Sequence, residues 1–288
     1  MGCSPSGESE TVGRVAEQSA QSVPSAPLSK DVQTAIYTHH PTQDVSLDII
    51  KPTPEKSLHR GIILIHGGGW VGGSRGDMED IGRYLAGKGF LTASVDYRLA
   101  PRNVWPAQLD DVQTAVRYIR THAKDLEISP DKIGAAGISA GGHLSLFLGA
   151  VDTRLDGEYH GVSSRVQAVC SISGLHDLNL PLTHLGERYR IVQMLTSEDG
   201  SVDKKTRAAA SPLTFVDAKT APTLFIQGNE DPLVPPDQTT EAEKRLKELG
   251  VRTTVQFVDG MGHGLTPKVP LQARALDQLA FWMYKYLR

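Results

Sequence analysis

The chain carries the stretch GISAGG at residues 137–142, which fits the pattern Gly-x-Ser-x-Gly around Ser139. The apolar run at residues 132–136 favours a buried strand, and residues 143–150 favour a helix. Small residues on both sides of Ser139 allow a sharp turn that larger side chains would resist. The stretch therefore predicts a strand, a turn that lifts the Ser139 hydroxyl clear of the sheet, and a helix whose unpaired N–H groups face that point. The alternative is an ordinary strand-to-helix turn with a capping serine.

Strands and helices alternate along the rest of the chain. Residues 45–50 alternate polar and apolar side chains and predict an early antiparallel strand. Further strands are expected at residues 61–65, 91–95, 166–172, 222–227 and 253–258, and helices at residues 81–88, 108–122, 239–249 and 269–287. Residues 176–207 are polar and irregular with one helix near 189–195, which predicts a short lid. The alternation predicts an α/β fold with a mainly parallel central sheet and helices on both faces.

Composition excludes several classes of partner. The 288 residues carry a formal net charge of −3, and the basic residues form no cluster, so we expect no nucleic acid partner. No apolar run approaches the roughly 18 residues that a membrane-spanning helix needs. The two cysteines, Cys3 and Cys170, have no zinc-ligand spacing, and a disulfide between them is not expected. We therefore predict neither a metal nor an organic cofactor.

The N-terminal residues 1–27 are rich in Ser, Glu, Gln, Gly and Pro, so we expect a disordered tail and a catalytic domain at residues 28–288. The first residues fit a myristoylation pattern with Gly2 and Ser6. They also resemble the start of a mature bacterial lipoprotein, in which Cys3 carries the lipid and a polar linker follows. The linker favours the lipoprotein, and with it a place outside the cytoplasm. The remaining interpretation is a tail without a role on a cytoplasmic protein.

A serine hydroxyl needs a base to take its proton, and that base needs an acid to orient it. In a fold with this kind of turn, the order along the chain is Ser, then Asp or Glu, then His. Of the ten histidines, only His263 follows every strand, in a glycine-rich loop. Asp231 follows the strand at 222–227, and Pro232 stiffens its loop. The other acids considered are Glu230, Asp237 and Asp259.

The glycines at residues 67–69 follow the apolar run 61–65 and supply a loop without side chains. A tetrahedral oxyanion needs backbone donors held in place, and we predict the N–H groups of Gly68, Gly69 and Ala140 for that role. A phosphate-binding loop is the rival, but the Gly-Lys-Ser/Thr ending is missing. Trp70 and Leu233 are expected to line the substrate pocket, with core packing as the alternative for Trp70. His66 is expected to support the glycine loop rather than to take part in catalysis.

Together, several short motifs resemble the α/β-hydrolase superfamily. They are HGGGW at 66–70, DYRLAP at 96–101, SAGGHL at 139–144, SPL at 211–213, DPLVP at 231–235 and GHG at 262–264. The resemblance covers residues 45–288 and is closest to hormone-sensitive-lipase-like carboxylesterases and bifunctional feruloyl/acetyl-xylan esterases. The lipase-like members carry Asp where Ile138 stands and have a longer N-terminal cap. Both departures favour the xylan-decorating esterases.

The resemblance implies a serine carboxylic-ester hydrolase that works through an acyl-enzyme. The short lid favours short acyl esters, with acetyl or feruloyl groups on plant polysaccharide as candidate substrates. Arylformamidases and dipeptidyl-peptidase-like hydrolases have a similar serine turn, so an amidase or peptidase with the same three residues is an alternative. A non-catalytic binding protein with the hydrolase fold is another. The sequence does not indicate an oligomeric state.

Overall fold

A mostly parallel sheet of eight strands forms the centre of the protein, in a computed structural model that describes residues 31–152, 159–182, 185–196 and 202–288. The strands are β1 (Val32–His40), β2 (Gln43–Ile50), β3 (Gly61–Ile65), β4 (Leu91–Val95), β5 (Ile133–Ile138), β6 (Ala168–Ile172), β7 (Thr223–Gly228) and β8 (Thr253–Val258). Their order across the sheet is β1-β2-β4-β3-β5-β6-β7-β8. Strands β3 to β8 are parallel, whereas β1 and β2 pair antiparallel, as the alternation in residues 45–50 predicts.

Helices cover both faces of the sheet. They are α1 (Glu79–Gly87), α2 (Ala107–Thr121), α3 (Ala140–Ala150), α4 (Leu185–Leu195), α5 (Lys204–Ala209), α6 (Asp237–Glu248) and α7 (Pro270–Tyr286). Strand β3 shows why the sheet needs cover on both sides, because its whole apolar run is buried. Ile63 and Ile65 pack in the cluster with α2 and α3, while Ile62 and Leu64 pack in the cluster with α1 and α7. Each of these side chains contributes about 1.5–3 kcal/mol by leaving water.

Two elements were not expected from the sequence. Strand β1 lies at the sheet edge, and most of its residues other than Tyr37 and Thr38 are at least partly exposed, so its sequence lacks a clear apolar alternation. Helix α5 has six residues and is capped by Asp203, whose side chain accepts a hydrogen bond from the backbone N–H of Thr206. No helix in the described ranges has the length and apolar character needed to cross a membrane. The predicted tail at residues 1–27 and its Cys3 lie outside those ranges.

The parallel strands bring distant parts of the chain to one edge of the sheet. Residues 67–70 follow β3, Ser139 follows β5, and the loops with Asp231 and His263 follow β7 and β8. All four strands point the same way, so these segments lie at the carboxyl edge of the sheet. Ligands of open α/β sheets bind outside the carboxyl ends of the strands.

Candidate active site

The backbone at Ser139 is strained in the way that the GISAGG stretch predicts. Ser139 has φ 57° and ψ −118° between the end of β5 and the start of α3. A positive φ is costly for a residue with a side chain and persists only when neighbours hold it. Its N–H donates to the carbonyl of Ile172 on β6 at 2.8 Å, and its carbonyl accepts from the N–H of His143 at 3.0 Å. The turn is therefore anchored to the sheet on one side and to the helix on the other.

The glycines of the turn are needed for close packing. A Cβ on Gly141 would lie 2.0 Å from the carbonyl oxygen of Ile65, and one on Gly137 would lie 2.3 Å from that of Gly141. A Cβ on Gly142 would lie 2.6 Å from the Ser171 Oγ. Helix α3 therefore starts in direct backbone contact with the end of β3, which no larger residue would permit.

The structure joins Asp231 and His263 directly. His263 Nδ1 lies 2.9 Å from Asp231 Oδ2 and 3.1 Å from Oδ1. The carboxylate side chain is inaccessible to solvent, whereas the imidazole is 18% exposed. An Nδ1–H that donates to the carboxylate leaves the lone pair on Nε2, where a general base needs it. No hydrogen bond joins Ser139 to His263 in the part of the chain that the structure describes, and such contacts often tighten only with substrate bound.

A network of donors holds the Asp231 carboxylate ionised. Its Oδ1 accepts from the N–H groups of Leu233 at 2.9 Å and Val234 at 3.0 Å, and its Oδ2 accepts from Gln227 Nε2 at 3.2 Å. Burial alone would raise the pKa of Asp231, but the hydrogen bonds from His263, Val234 and Leu233 outweigh it and lower the pKa. The carboxylate is thus charged and fixed in direction before substrate arrives.

Gln227 is a positioning residue that sequence reasoning missed. Its side chain ends the apolar strand β7 and is fully buried. Besides Asp231, its Nε2 donates to the carbonyl of Val234 at 3.2 Å, and its Oε1 accepts from the Thr239 hydroxyl at 3.1 Å. The available signal was a polar residue at the end of an otherwise apolar run, four positions before the acid.

The other acids considered at sequence level point elsewhere. Glu230, Asp237 and Asp259 are all exposed. Asp259 accepts a hydrogen bond from the side chain of Asn229, and none of the three forms a hydrogen bond or ion pair with His263 within the described residues. Among the candidates, Asp231 is therefore the acid that the structure pairs with the imidazole.

The glycine loop passes beside Ser139. A Cβ on Gly67 would lie 3.3 Å from the Cβ of Ser139, so the two backbones run close together. Gly68 and Gly69 have φ of 102° and 60°, a region that favours glycine. The amide groups of Gly68, Gly69 and Ala140 donate to no acceptor among the described residues. For Ala140 the reason is its place at the start of α3, where backbone N–H groups lack helical partners. These groups are available as oxyanion donors.

His66 and Tyr97 support the glycine loop from below. Their rings stack with centroids 4.2 Å apart and planes 9° from parallel. His66 Nδ1 donates to the carbonyl of Gly67 at 2.7 Å, and the Tyr97 hydroxyl donates to the carbonyl of His66 at 3.1 Å. Burial lowers the pKa of His66, which keeps this ring neutral. His66 is a structural residue, as expected from the sequence.

Trp70 packs in the core, which is the alternative considered for it, and its role in a substrate pocket stays a prediction. Its side chain is 0% exposed, and its indole N–H donates to the Nδ1 of His143 at 3.3 Å. His143 Nε2 in turn donates to the carbonyl of Ala210 at 2.7 Å, and burial lowers the pKa of this histidine to about 3. Leu233 is half-buried against the core beside Asp231, and its role in a pocket stays a prediction.

Helix α4 lies within residues 176–207, where a short lid is predicted, and its Arg190 lies against the glycine loop. A Cβ on Gly69 would lie 2.3 Å from Cδ of Arg190, so the aliphatic part of Arg190 covers this glycine. The helix is held by the buried side chains of Ile191 and Met194 and by a hydrogen bond from the N–H of Trp105 to the carbonyl of Met194 at 2.8 Å. The sequence predicts a helix here but not the contact of Arg190.

The strained serine turn, the paired acid and histidine, and the order of the sheet together define an α/β-hydrolase. The BD-FAE family model matches residues 47–246, and the chain belongs to this family. No group of three or more side chains suited to a metal ion is found in the described ranges.

Individual relatives carry esterase names. The chain is 33% identical to esterase LipC of Mycobacterium tuberculosis over 80% of this chain and 58% of LipC. It is 30% identical to an arylesterase of Saccharolobus solfataricus over 87% of this chain and 81% of that protein. The chain is also similar to the solved structure of a truncated carbohydrate esterase from gut microbiota, with a TM-score of 0.76 and 25% sequence identity. The match covers 90% of this chain and 98% of that one. The chain spans about half the length of LipC and of similar mycobacterial proteins.

Proposed function

We propose that the protein is a serine carboxylesterase with Ser139, His263 and Asp231 as its catalytic residues. The observation that carries the proposal is the buried Asp231 carboxylate holding His263 Nδ1 at the sheet edge where Ser139 stands on a strained turn. Esterase names among relatives of similar sequence support the same activity. A buried acid, an oriented imidazole and a strained serine turn have no need to coincide in a protein that only binds.

The reaction proceeds in two halves. The Ser139 Oγ attacks the ester carbonyl carbon while His263 Nε2 takes its proton, and the C=O electron pair moves to the oxygen. The N–H groups of Gly68, Gly69 and Ala140 stabilise this oxyanion, and each such donor is worth about 3–4 kcal/mol in a well-formed site. The intermediate collapses when His263 protonates the leaving alcohol, which leaves an acyl-enzyme on Ser139.

Water completes the second half. His263 takes a proton from the water as it attacks the acyl carbonyl, and the same N–H groups bind the second oxyanion. Collapse then breaks the bond to Ser139, which recovers its proton from His263, and the carboxylic acid leaves. Asp231 keeps the imidazole in one tautomer and stabilises its charged form in both halves.

For the substrate we propose short acyl esters, with acetyl or feruloyl groups on plant polysaccharide as the class to test first. The short lid supports small acyl groups, because α4 covers the glycine loop through Arg190 and Ser139 is only 4% exposed. Membership of the BD-FAE family and the likeness to a carbohydrate esterase support a sugar ester as the alcohol part.

Hydrolysis of p-nitrophenyl acetate by a Ser139→Ala variant tests the catalytic assignment. We expect a loss of roughly 10⁴-fold or more in kcat, with unfolding temperature nearly unchanged. Ser173→Ala is the matched control, because Ser173 follows the neighbouring strand β6 and its buried hydroxyl has no partner in the described part of the chain. Unchanged turnover in Ser139→Ala, or an equal loss in Ser173→Ala, contradicts the assignment.

A panel of substrates tests the substrate class. Acetylated xylan, feruloyl esters, short p-nitrophenyl esters and aminoacyl amides are compared by kcat/KM, and we expect the esters to be preferred. Faster turnover of the amides would make the protein an amidase or peptidase. A chain that hydrolyses none of them and is not labelled by a fluorophosphonate would be a binding protein.

A further inference from the structure

A cavity of about 340 Å³ lies between the segment after β6 and helices α4 and α5. This volume is within the range of small-molecule sites, roughly 300–1,000 Å³. Its apolar wall includes Leu178, Leu182 and Ile191, and none of the residues assigned above to catalysis or to the oxyanion lines it. The cavity is therefore separate from the reacting groups.

The charge in this cavity is positive. Arg188 and Arg207 both line it, and no acidic residue does so among the described residues. The Arg188 Nε donates to the carbonyl of Leu182 at 2.9 Å. The guanidinium of Arg207 has no hydrogen-bond or ion-pair partner in the described ranges, and its Nε is buried. A guanidinium carries a positive charge, and leaving its buried Nε–H without an acceptor is costly.

Asn179 adds an unpaired acceptor to the same cavity. Its Nδ2 donates to the carbonyl of Lys204 at 3.3 Å, which fixes the direction of the amide. Its Oδ1 is buried and has no donor within the described chain. Buried polar atoms without partners are rare, and two in one cavity indicate a ligand that supplies both an acceptor and a donor.

We propose that this cavity binds a small apolar carboxylic acid that carries a hydroxyl group. The carboxylate accepts hydrogen bonds from Arg207, whose planar fork matches its two oxygens. The hydroxyl donates to Asn179 Oδ1. The apolar body packs against Leu178, Leu182 and Ile191. A bare inorganic anion would leave both the apolar wall and the Asn179 acceptor without a partner.

Calorimetric titration with 3-(4-hydroxyphenyl)propionate tests the proposal. We expect binding to the wild-type protein and a weakening of roughly tenfold or more in Arg207→Gln, because a charged hydrogen-bond pair is lost. Lys205→Gln removes the same charge from an exposed position on the same helix and should bind within about twofold of wild type. Equal binding by the wild-type protein and Arg207→Gln would overturn the proposal.

Two analogues test the polar groups of the ligand. The neutral 3-(4-hydroxyphenyl)propionamide should bind the wild-type protein at least about tenfold more weakly than the acid, because it cannot pair with a guanidinium. 3-Phenylpropionate lacks the hydroxyl and should also bind more weakly. Equal affinity of the amide and the acid contradicts a carboxylate site. Equal affinity of 3-phenylpropionate and 3-(4-hydroxyphenyl)propionate contradicts the hydrogen bond from the ligand hydroxyl to Asn179.

Binding to the cavity must be distinguished from binding to the active site. We expect the titration to be unchanged after Ser139 has been labelled with a small fluorophosphonate. Loss of binding on labelling would place the acid next to Ser139 and overturn the proposal. The proposal does not depend on esterase activity. If the protein neither hydrolyses esters nor takes the label, the titration of wild type against Arg207→Gln still tests the cavity.

Discussion

The substitution Asp231→Asn exchanges one acceptor for a donor inside the network around His263. The two backbone N–H groups of Leu233 and Val234 point at Oδ1, so the amide oxygen must occupy that position. The new Nδ2 group then takes the place of Oδ2, which accepted from Gln227 Nε2 and which is the nearer of the two oxygens to His263 Nδ1. An N–H donor then faces another N–H donor on each side, so the side chain of Gln227 or that of His263 must change its hydrogen bonding.

Gln227 cannot readily turn to relieve the clash of donors. Its Nε2 also donates to the carbonyl of Val234, and its Oε1 accepts from the Thr239 hydroxyl. Inverting the amide would break both hydrogen bonds in a buried place, at about 1–3 kcal/mol for each group left unpaired. The imidazole of His263 therefore changes instead: it accepts at Nδ1, and its proton moves to Nε2. In that tautomer it has no lone pair with which to take the proton of Ser139.

The expected size of the effect is a loss of roughly 10³- to 10⁴-fold in kcat, or about 4–5 kcal/mol of barrier, as for other triads whose Asp becomes Asn. The cost in folding is smaller, about 1–3 kcal/mol for the lost charged hydrogen bonds, against a stability of about 5–15 kcal/mol for a typical domain. The variant should therefore stay folded at 25 °C while losing almost all activity.

Hydrolysis of p-nitrophenyl acetate and thermal unfolding, measured on the same preparations, separate the two effects. Glu230→Gln is the matched control, because it makes the same chemical change one residue away at an exposed side chain. We expect this control to keep activity within about twofold of wild type. Retention of more than about a tenth of the activity by Asp231→Asn, or an equal loss in Glu230→Gln, would refute the tautomer argument.

Two further predictions concern stability. Gly141→Ala places a Cβ 2.0 Å from the carbonyl oxygen of Ile65 and should lower the free energy of unfolding by roughly 3 kcal/mol or more. Gly87→Ala, at the end of α1, places its Cβ in open space and should raise the free energy of unfolding by up to about 1 kcal/mol. Equal shifts in urea unfolding would contradict the close packing of the turn. Burial lowers the pKa of His143 to about 3. Above the ordinary histidine pKa of about 6.5 the ring is neutral in the folded and the unfolded protein, so the stability that His143 contributes is complete. As the pH falls from 6.5 toward 3, only the unfolded protein binds the proton, and this stability is lost. The difference in unfolding free energy between wild type and His143→Gln should therefore shrink between pH 7 and pH 4, and a constant difference would contradict it.

Much of the fold could be predicted because its signals are local. The apolar run of β3 is buried on both faces, so its composition directly reports a central strand. The turn at Ser139 could be predicted because only small residues permit such close backbone contact with β3. Asp231 and His263 followed from chain order, since parallel strands bring their carboxyl ends to one edge.

The parts that could not be predicted depend on contacts between residues far apart in the chain. The indole N–H of Trp70 donates to His143, which lies on a helix 73 residues later in the chain. Arg190 covers Gly69 although more than a hundred residues separate the two in the chain, and no sequence pattern predicts that contact. Edge strand β1 has few buried residues and hence no strong apolar alternation.

The strained serine ties the stability of the fold to its chemistry. A residue at φ 57° relaxes unless its surroundings hold it, and here the Ser139 N–H is fixed to Ile172 of β6 while Gly141 is packed on the end of β3. Both neighbours of β5 in the sheet thus take part in positioning the hydroxyl. It follows that the GISAGG stretch would be constrained even without a reaction to catalyse, because its glycines are contact residues of the sheet. The motif alone therefore indicates the fold, and catalysis is inferred from Asp231 and His263 meeting at the same edge.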